Sequence, residues 1–589
     1  MKDIIKFISS ILPIVFLAIF LTTCGGGGGT SGAAGTSPTD CSGVSSSLTC
    51  VAVTSCGSYS SSNTYYLLMS DISASGNCLT IGGSNTVFDL NQHTANYATG
   101  GSGVGITISS GSNLEIKNGN VVGGKNSNSH AIVQSGTAND LKIHHLNITA
   151  GGVGTQGMDL GSGTNLQVYN NTLKLDAQKA DPCSHYSGHL YAIGLAYRGG
   201  KIEIYNNNIT GNGMFGIYFT GCGSYSSPAL IHDNYVSMWS PTRDGYAIAV
   251  QGNNTCDDGH KIYSNTIDQV NGRGIIIGGW NVESDNGVGN VEVYQNKITV
   301  REGWDCEYNS AGTGVGIRVR FGAHDNYVHD NQIYGLAGTG VAKGSAPDKD
   351  GSTVTGLYVG AGAPYGSNNR YESNYVEVSS NNESFDAIAV YGSDSEPSSI
   401  GLPMSFKNNT FKSNNLPIRI GGSDGGAYNV SFSGDKIIKG DNPINFKSVT
   451  LGWWIYGATG INLLDVTGQN GADVHDIKFD YSDSGAPFDA KIAWTLTVTV
   501  RDSSGNNVSG ASVQINDSKG SVAASGVTNA QGIFAAQLTE ETFVGTDVPT
   551  QTTYTPHTVT ASYSGGSASQ SITMDSTKSI TLTLGSSGT

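Results

Sequence analysis

IYNNNI at Ile204–Ile209, IHDNYV at Ile231–Val236, IYSNTI at Ile262–Ile267, VYQNKI at Val293–Ile298 and VHDNQI at Val328–Ile333 repeat one phrase. An apolar residue is followed three positions later by Asn, and two positions after that by another apolar residue. The Asn positions extend to Asn171, Asn207, Asn234, Asn265, Asn296, Asn331, Asn374 and Asn409, at spacings of roughly 27 to 43 residues. A recurring supersecondary unit fixes the architecture before any residue is interpreted, and this irregular period suits coils with variable loops better than a helical array. Around Asn207, Ile204 and Ile209 are expected to face a core, with Asn207 at a bend, stacked on Asn234 and Asn265. Stacked amides can bond along such a row and satisfy polar groups that cannot reach water. The Asn residues are therefore read as structural.

Composition agrees. Gly accounts for 83 of 589 residues and charged residues for only 13%. A chain poor in helix formers and rich in turn residues favours an all-β fold. A net charge of -16 excludes nucleic acid as an expected partner, because phosphate binding needs basic clusters. An acidic polysaccharide would need a local basic site or a bridging cation.

Residues 1–23 read as a signal peptide: Lys2 and Lys6 precede an apolar run from Ile8 to Leu21, short for a bilayer span. The run ends in Leu21-Thr22-Thr23-Cys24, which resembles a bacterial lipobox. That resemblance implies lipidation of Cys24 and export to the outer membrane or cell surface. Residues 24–38 are a Gly-rich stretch with little to bury, read as a flexible tether. Nine Cys less Cys24 leave an even number, as expected in an oxidising compartment. Cys41, Cys50, Cys56 and Cys78 are expected to staple an N-terminal cap at 39–77. Cys183 is provisionally paired with Cys222, and Cys256 with Cys306; sequence alone does not fix connectivity.

CLTIGGSNTVFDLNQHT, at Cys78–Thr94, resembles the opening coil of right-handed parallel β-helix proteins of the pectate-lyase-like superfamily, with Gln92 where Gly is usual. The resemblance covers about 78–489 and implies a right-handed parallel β-helix of about nine or more coils. It implies little about activity, because that fold carries many. Val500–Val513 matches V-x-D-x-x-G-x-x-V-x-G-A-x-V and is similar to the carboxypeptidase-regulatory-like domain. An Ig/transthyretin-like β-sandwich is thus expected at 494–585, with alternation and turns giving about seven strands.

A second strand in each coil is marked by a small residue before an apolar alternation: GMDL, AIGL, GIYF, AIAV, GIII, GIRV, AIAV and PIRI. Long loops precede it at Ala177–Tyr191 and Arg301–Thr313, and long loops on a regular solenoid usually mark a binding face. Outward positions on this strand include Asp159, Tyr218, Thr220, Gln251, Arg318, Arg320, Tyr391 and Arg419. Adjoining turns add Asp244, Arg273, Trp280, Asp305 and Glu307. Guanidinium groups grip carboxylates bidentately, so this face is a candidate groove for a carboxylated sugar; a solvated salt-bridge face is the competing reading. In β-helix lyases a basic residue removes the proton beside a uronate carboxylate that calcium or Arg neutralises. The resemblance offers such a role to Arg318 or Arg320; the candidate catalytic groove is that around Asp244, Arg273, Arg318 and Arg320, with Tyr218, Gln251, Trp280, Tyr391 and Arg419 as candidate substrate contacts. If Cys256 meets Cys306, then Asp257, Asp258, Asp305 and Glu307 converge, an all-oxygen set suited to Ca2+.

Another column, two residues before each ladder Asn, holds Tyr169, Tyr205, His232, Tyr263, Tyr294 and His329, with His144 equivalent. It reads either as a stacked stabilising row or as a platform for sugar rings. Polygalacturonases share the outline of Asp244-Gly245-Tyr246, Gly272-Arg273-Gly274 and Arg318-Val319-Arg320. Arg273 stands where their His belongs, and Met214–Phe219 lacks an expected Asp, so the hydrolytic carboxylate pair is missing. Two functions remain: a lipid-anchored protein that binds polysaccharide, with or without cleaving it as a lyase or hydrolase, or a non-catalytic surface adhesin, matrix scaffold or assembly protein.

Overall fold

The structure is a computed structural model that describes residues 40–44, 47–124, 126, 128–152, 154–176, 191–196, 198–220, 228–242, 244–252, 259–279, 288–306, 310–320, 322–338, 353–359, 368–381, 385–392, 404–421, 427–443, 453–455, 458–479, 487–546 and 549–585.

Each repeated phrase folds as strand, bend, strand. Ala229–His232 is a strand, Asp233 and Asn234 make the bend, and Tyr235–Trp239 is the next strand. The residue before each ladder Asn is left-handed: Asn206 has φ 52°, Asp233 54°, Ser264 53°, Gln295 53° and Asp330 53°. Asn and Asp tolerate that region better than branched residues, which accounts for NN and DN at the bend. A third strand follows, such as Tyr246–Gln251. Coils therefore carry three strands where two were expected, because the residues after the Asn form a stack of their own.

Successive coils pair in parallel and in register. Ile204 meets Ile231, Ile262, Val293 and Val328 in turn. Ile209, Val236, Ile267, Ile298 and Ile333 form the second column. Ile217, Ile248, Ile275, Ile317, Leu357, Val390 and Ile418 form the third. All are at most 1% exposed, and burying each such side chain contributes roughly 1.5–3 kcal/mol. These stacked parallel strands make a parallel β-helix. Its third stack holds 15 strands among the described residues, within the expected nine or more coils, and spans roughly 70 Å at one strand spacing per coil.

The predicted amide row is present. Asn207 donates from its backbone N and from Nδ2 to Asn234 Oδ1, both at 3.0 Å. The pattern runs to Asn409, whose Nδ2 donates to Asp435 Oδ1 at 2.8 Å. Every amide donates onward, so only the last member can be a pure acceptor, and an Asp stands there.

The parallel stacks begin inside the expected cap: Thr49–Val53 pairs with Thr64–Leu68. Disulfides Cys41–Cys50 and Cys56–Cys78 hold this end. At the other end one strand, Phe488–Arg501, forms the last rung on Ile461–Leu464 and continues into antiparallel pairing with Ile533–Gly545. A separate four-stranded antiparallel sheet comprises Ser512–Asn516, Val522–Val527, His557–Tyr563 and Gly566–Ile572. Val513, Ile515, Val559 and Ala561 on this sheet are buried, as is Val498 on Phe488–Arg501.

Candidate functional site

The third strand has no room for a side chain at its small residue. In Gly272–Gly278, a Cβ on Gly274 would lie 2.6 Å from the Gly316 carbonyl and 2.7 Å from Ile298 Cγ2. Beside the core column run two further columns. One runs Phe215, Tyr246, Arg273, Val315, Thr355, Ile388. The other runs Tyr218, Ala249, Ile276, Arg318, Tyr358, Tyr391, Arg419.

The two columns change character along the axis. Met214, Phe215, Tyr218, Tyr246, Ala249 and Ile276 form a closed apolar cluster, each at most 8% exposed. Beyond it opens a groove of about 500 Å³ lined by Asp244, Arg273, Thr313, Val315, Arg318, Arg320, Thr353, Thr355, Tyr358, Asp386, Ile388, Tyr391 and Arg419. Asp244, Arg273, Arg318, Arg320, Tyr391 and Arg419 were expected there from sequence. Tyr218 lies instead in the apolar cluster. Gln251 is fully buried, in the column that continues through Gly278 to Arg320, and is not part of the lining. Tyr358, Asp386 and Thr355 were missed. Tyr358 was legible: Gly356–Val359 reads GLYV, the same phrase as GIRV, with Tyr358 in the place of Arg318.

Among the described residues, four guanidiniums and two carboxylates line this groove. Arg273 donates from Nη1 to Asp244 Oδ1 at 2.7 Å. Burial raises the Asp244 pKa, but the charge and hydrogen bond of Arg273, with Arg320 and Arg318 adding to them, outweigh it and hold the carboxyl below the usual aspartate range. Burial first, then the positive charge of Arg273, pushes the Arg318 guanidinium well below its ordinary value. Burial likewise lowers Arg320. Guanidinium does not give up its proton in a protein, so these shifts measure a need for counter-anions and not a supply of base. Arg318 Nε has no hydrogen-bond partner among the described residues.

The aromatic column on the first stack is a closed ladder. His144, Tyr169, Tyr205, His232, Tyr263, Tyr294 and His329 stack at centroid distances of 4.6–5.2 Å and interplanar angles of 3–13°. Each interior ring face is covered by the next ring, so only edges meet solvent. That geometry favours the stabilising row over a sugar platform, since a sugar needs a free ring face.

Trp280, Asp257, Asp258, Glu307, Cys24, Cys183, Cys222 and Cys256 lie outside the described residues. Asp305 is fully buried. Cys306 is disulfide-bonded to a partner outside the described residues. Among the described residues, no group of three or more His, Cys, Asp and Glu is placed to hold a metal ion.

No protein-family model matches the chain, and no curated protein matches it. Among solved structures it is similar to a PL6 alginate lyase in complex with a trisaccharide, at 13% identity and a TM-score of 0.35, covering 73% of this chain and 83% of that one. It is also similar to tailspike proteins of E. coli bacteriophage HK620. One has 10% identity and a TM-score of 0.31, covering 85% of this chain and 87% of that chain. Another, in complex with a pentasaccharide, has 11% identity and a TM-score of 0.28, covering 87% and 84%. Likenesses of this size give no residue here a role.

Proposed function

We propose that the chain binds an acidic polysaccharide in the groove centred on Arg318. The observation that carries this reading is Arg318: it is half-buried in a groove whose described lining holds four arginines and two aspartates, and its Nε has no hydrogen-bond partner among the described residues. A desolvated guanidinium that lacks a carboxylate is costly, and a uronate carboxylate would relieve that cost through paired hydrogen bonds. Thr313, Thr353 and Asp386 border the groove and suit sugar hydroxyls. A neutral glycan would bring no anion to the Arg318 guanidinium.

Cleavage is the extension of this reading. Arg318, Arg320 or Arg273 would neutralise a uronate carboxylate and so acidify the neighbouring C–H, the first need of β-elimination. The catalytic assignment of Asp244, Arg273, Arg318 and Arg320 belongs to this proposal, as does a Ca2+ site at Asp257, Asp258, Asp305 and Glu307. So do a right-handed coil, Cys24 lipidation with display at the outer membrane or cell surface, a tether at 24–38 and a C-terminal β-sandwich spacer at 494–585.

The test is incubation of the chain from residue 39 onward with neutral and acidic polysaccharides, with and without calcium. Binding, new reducing ends and the ultraviolet absorbance of unsaturated uronates would be followed. Acid-selective binding that weakens roughly 10- to 100-fold in Arg318→Gln is expected, the usual cost of a charged hydrogen bond. Unsaturated product would establish a lyase, and reducing ends without unsaturation a hydrolase. Binding without product would establish a non-catalytic surface protein. Equal affinity for neutral and acidic polymers, or none for either, would refute the proposal.

A further inference from the structure

The second strands of three successive coils, Tyr375–Ser380, Thr410–Ser413 and Lys436–Lys439, end at a cavity of about 390 Å³ that shares no lining residue with the arginine groove. In the middle coil only Asn414 and Asn415 join the second strand to the third. In the next coil that connection runs from Gly440 to Gly452, so the chain leaves the regular path at Gly440. The hollow lies where the paths diverge. Glu377, Ser379, Asn381, Lys412, Asp441 and Asn442 line it.

Its polar groups are held in place. Lys412 Nζ donates to Glu377 Oε1 at 2.7 Å, and the Tyr375 hydroxyl donates to Glu377 Oε2 at 2.8 Å. Burial raises the Glu377 pKa, but the bonds from Lys412 and Tyr375 outweigh it and keep the carboxylate ionised. Asn414 is buried and ties the turns of the three coils together. Its Oδ1 accepts from Ser380 N at 2.9 Å, and its Nδ2 donates to the carbonyls of Ser380 at 2.8 Å and Asn442 at 3.2 Å. Side chains fixed in this way need little reordering when a ligand arrives.

The charge balance reverses that of the groove. Among the described residues the lining holds two carboxylates, Glu377 and Asp441, and one ammonium, Lys412. The surplus is negative, so a uronate carboxylate is repelled. A divalent cation is opposed by the Lys412 ammonium, which already stands on Glu377. Vicinal sugar hydroxyls, which donate and accept together, suit this set: each carboxylate oxygen can accept more than one donor, an ammonium carries three N–H groups, and an amide does both.

We propose that this cavity is a second carbohydrate subsite, selective for a neutral, hydroxyl-rich sugar unit, with Glu377 and Asp441 accepting from its hydroxyls and Lys412 and Asn442 donating to them. The subsite does not depend on the acidic-polysaccharide groove. The coils that carry it also present Asp386, Tyr391 and Arg419 to that groove from their third strands, so successive strands of the same coils face ligands of opposite charge preference. A cavity for so short a piece of glycan binds weakly, with a Kd on the order of a millimolar, and leaves the acid selectivity expected of the groove unchanged.

The test exposes the full chain to maltohexaose, cellohexaose, mannohexaose and hexagalacturonate, each in excess over a millimolar. Binding is followed by saturation-transfer NMR, and lysine acetylation by peptide mass spectrometry. At least one neutral hexaose is expected to bind and to slow acetylation of Lys412 several-fold. Lys407 and Lys436, exposed on the same coils, should be acetylated as before. Hexagalacturonate should give Lys412 no protection. Asp441→Asn, at an exposed turn, is expected to weaken the neutral sugar roughly 10-fold with an unchanged melting temperature. Binding of no neutral hexaose, binding that leaves Lys412 unprotected, equal protection by hexagalacturonate, or undiminished affinity in Asp441→Asn would each overturn the subsite. None of these results bears on Arg318, so this subsite and the groove stand or fall separately.

Discussion

Asn265→Ala is the perturbation whose cost is best defined by the structure. The Asn265 side chain is 1% exposed and makes five hydrogen bonds. Its Nδ2 donates to the carbonyls of Ile231 and Tyr263, each at 3.0 Å, and to Asn296 Oδ1 at 2.9 Å. Its Oδ1 accepts from Asn234 N at 3.1 Å and Asn234 Nδ2 at 3.0 Å. Truncation does not orphan all the partners. Asn234 Nδ2 keeps the carbonyls of Ile204 and His232, and Asn296 Oδ1 keeps Asn265 N. The buried backbone N–H of Asn234 loses the acceptor it has here. An orphaned buried donor costs about 1–3 kcal/mol, and the lost amide packing adds to it, so a total near 3 kcal/mol is expected. In a solenoid each coil contacts only its neighbours, so the loss stays local. Residue-resolved hydrogen exchange is the assay: the Asn234 amide should exchange about 100-fold faster, while amides several coils away do not change. Asn265→Asp supplies the contrast. It keeps an acceptor for Asn234 but turns its second oxygen toward three acceptors, so the Asn234 amide should stay protected only while the new carboxyl is protonated. Acceleration of less than about tenfold at Asn234 in Asn265→Ala would refute the reading of the amide row as the structural partner of these buried backbone groups.

Further outcomes follow from other groups. Burial pushes the Asp435 carboxyl up to about 7, against the lowering effect of its bonds from Asn409 and Ser433. The folded state then holds the proton more tightly than the unfolded chain. Relative to Asp435→Asn, which does not titrate, stability should fall as pH rises from about 4 to about 7, by roughly 4 kcal/mol at most, and level off above; chemical denaturation across that range reads it. His475 is raised to about 9, chiefly by its hydrogen bond to Glu540, with Asp473 adding to it and burial opposing. Its contribution is complete below the unfolded value near 6.5 and is lost as pH rises through about 9, so thermal melting of the C-terminal strands should weaken over that window in the wild type and not in His475→Gln. Cys56→Ser opens a loop of 22 residues and should cost about 3 kcal/mol, read as earlier unfolding of the first coils.

The coil was legible because its signals are local. The Ile-x-x-Asn-x-Ile phrase places two core residues around a bend within six positions, and a left-handed residue before the Asn needs only its own neighbours to be recognised. The small residue of the third strand was legible as a marker, though its cause, the close approach of Gly274 to the next coil's carbonyl at Gly316, is a contact between distant segments. Arg318, Arg320 and Arg419 were readable as outward from alternation alone.

What the sequence by itself determined is the class of the fold, the outward face of each strand and the residues of the amide row, since these depend on period and backbone preference within one coil. Only the tertiary structure decided which outward residues share a column. Loops of unequal length separate the coils, so Arg318, Tyr358, Tyr391 and Arg419 stand at irregular spacings in the chain and meet only through strand register. The same register placed Tyr218 in an apolar cluster and Gln251 in the interior, although their alternation is that of Arg318 and Arg320. Exposure depends on what packs over a strand, and that is set by segments far away in the chain.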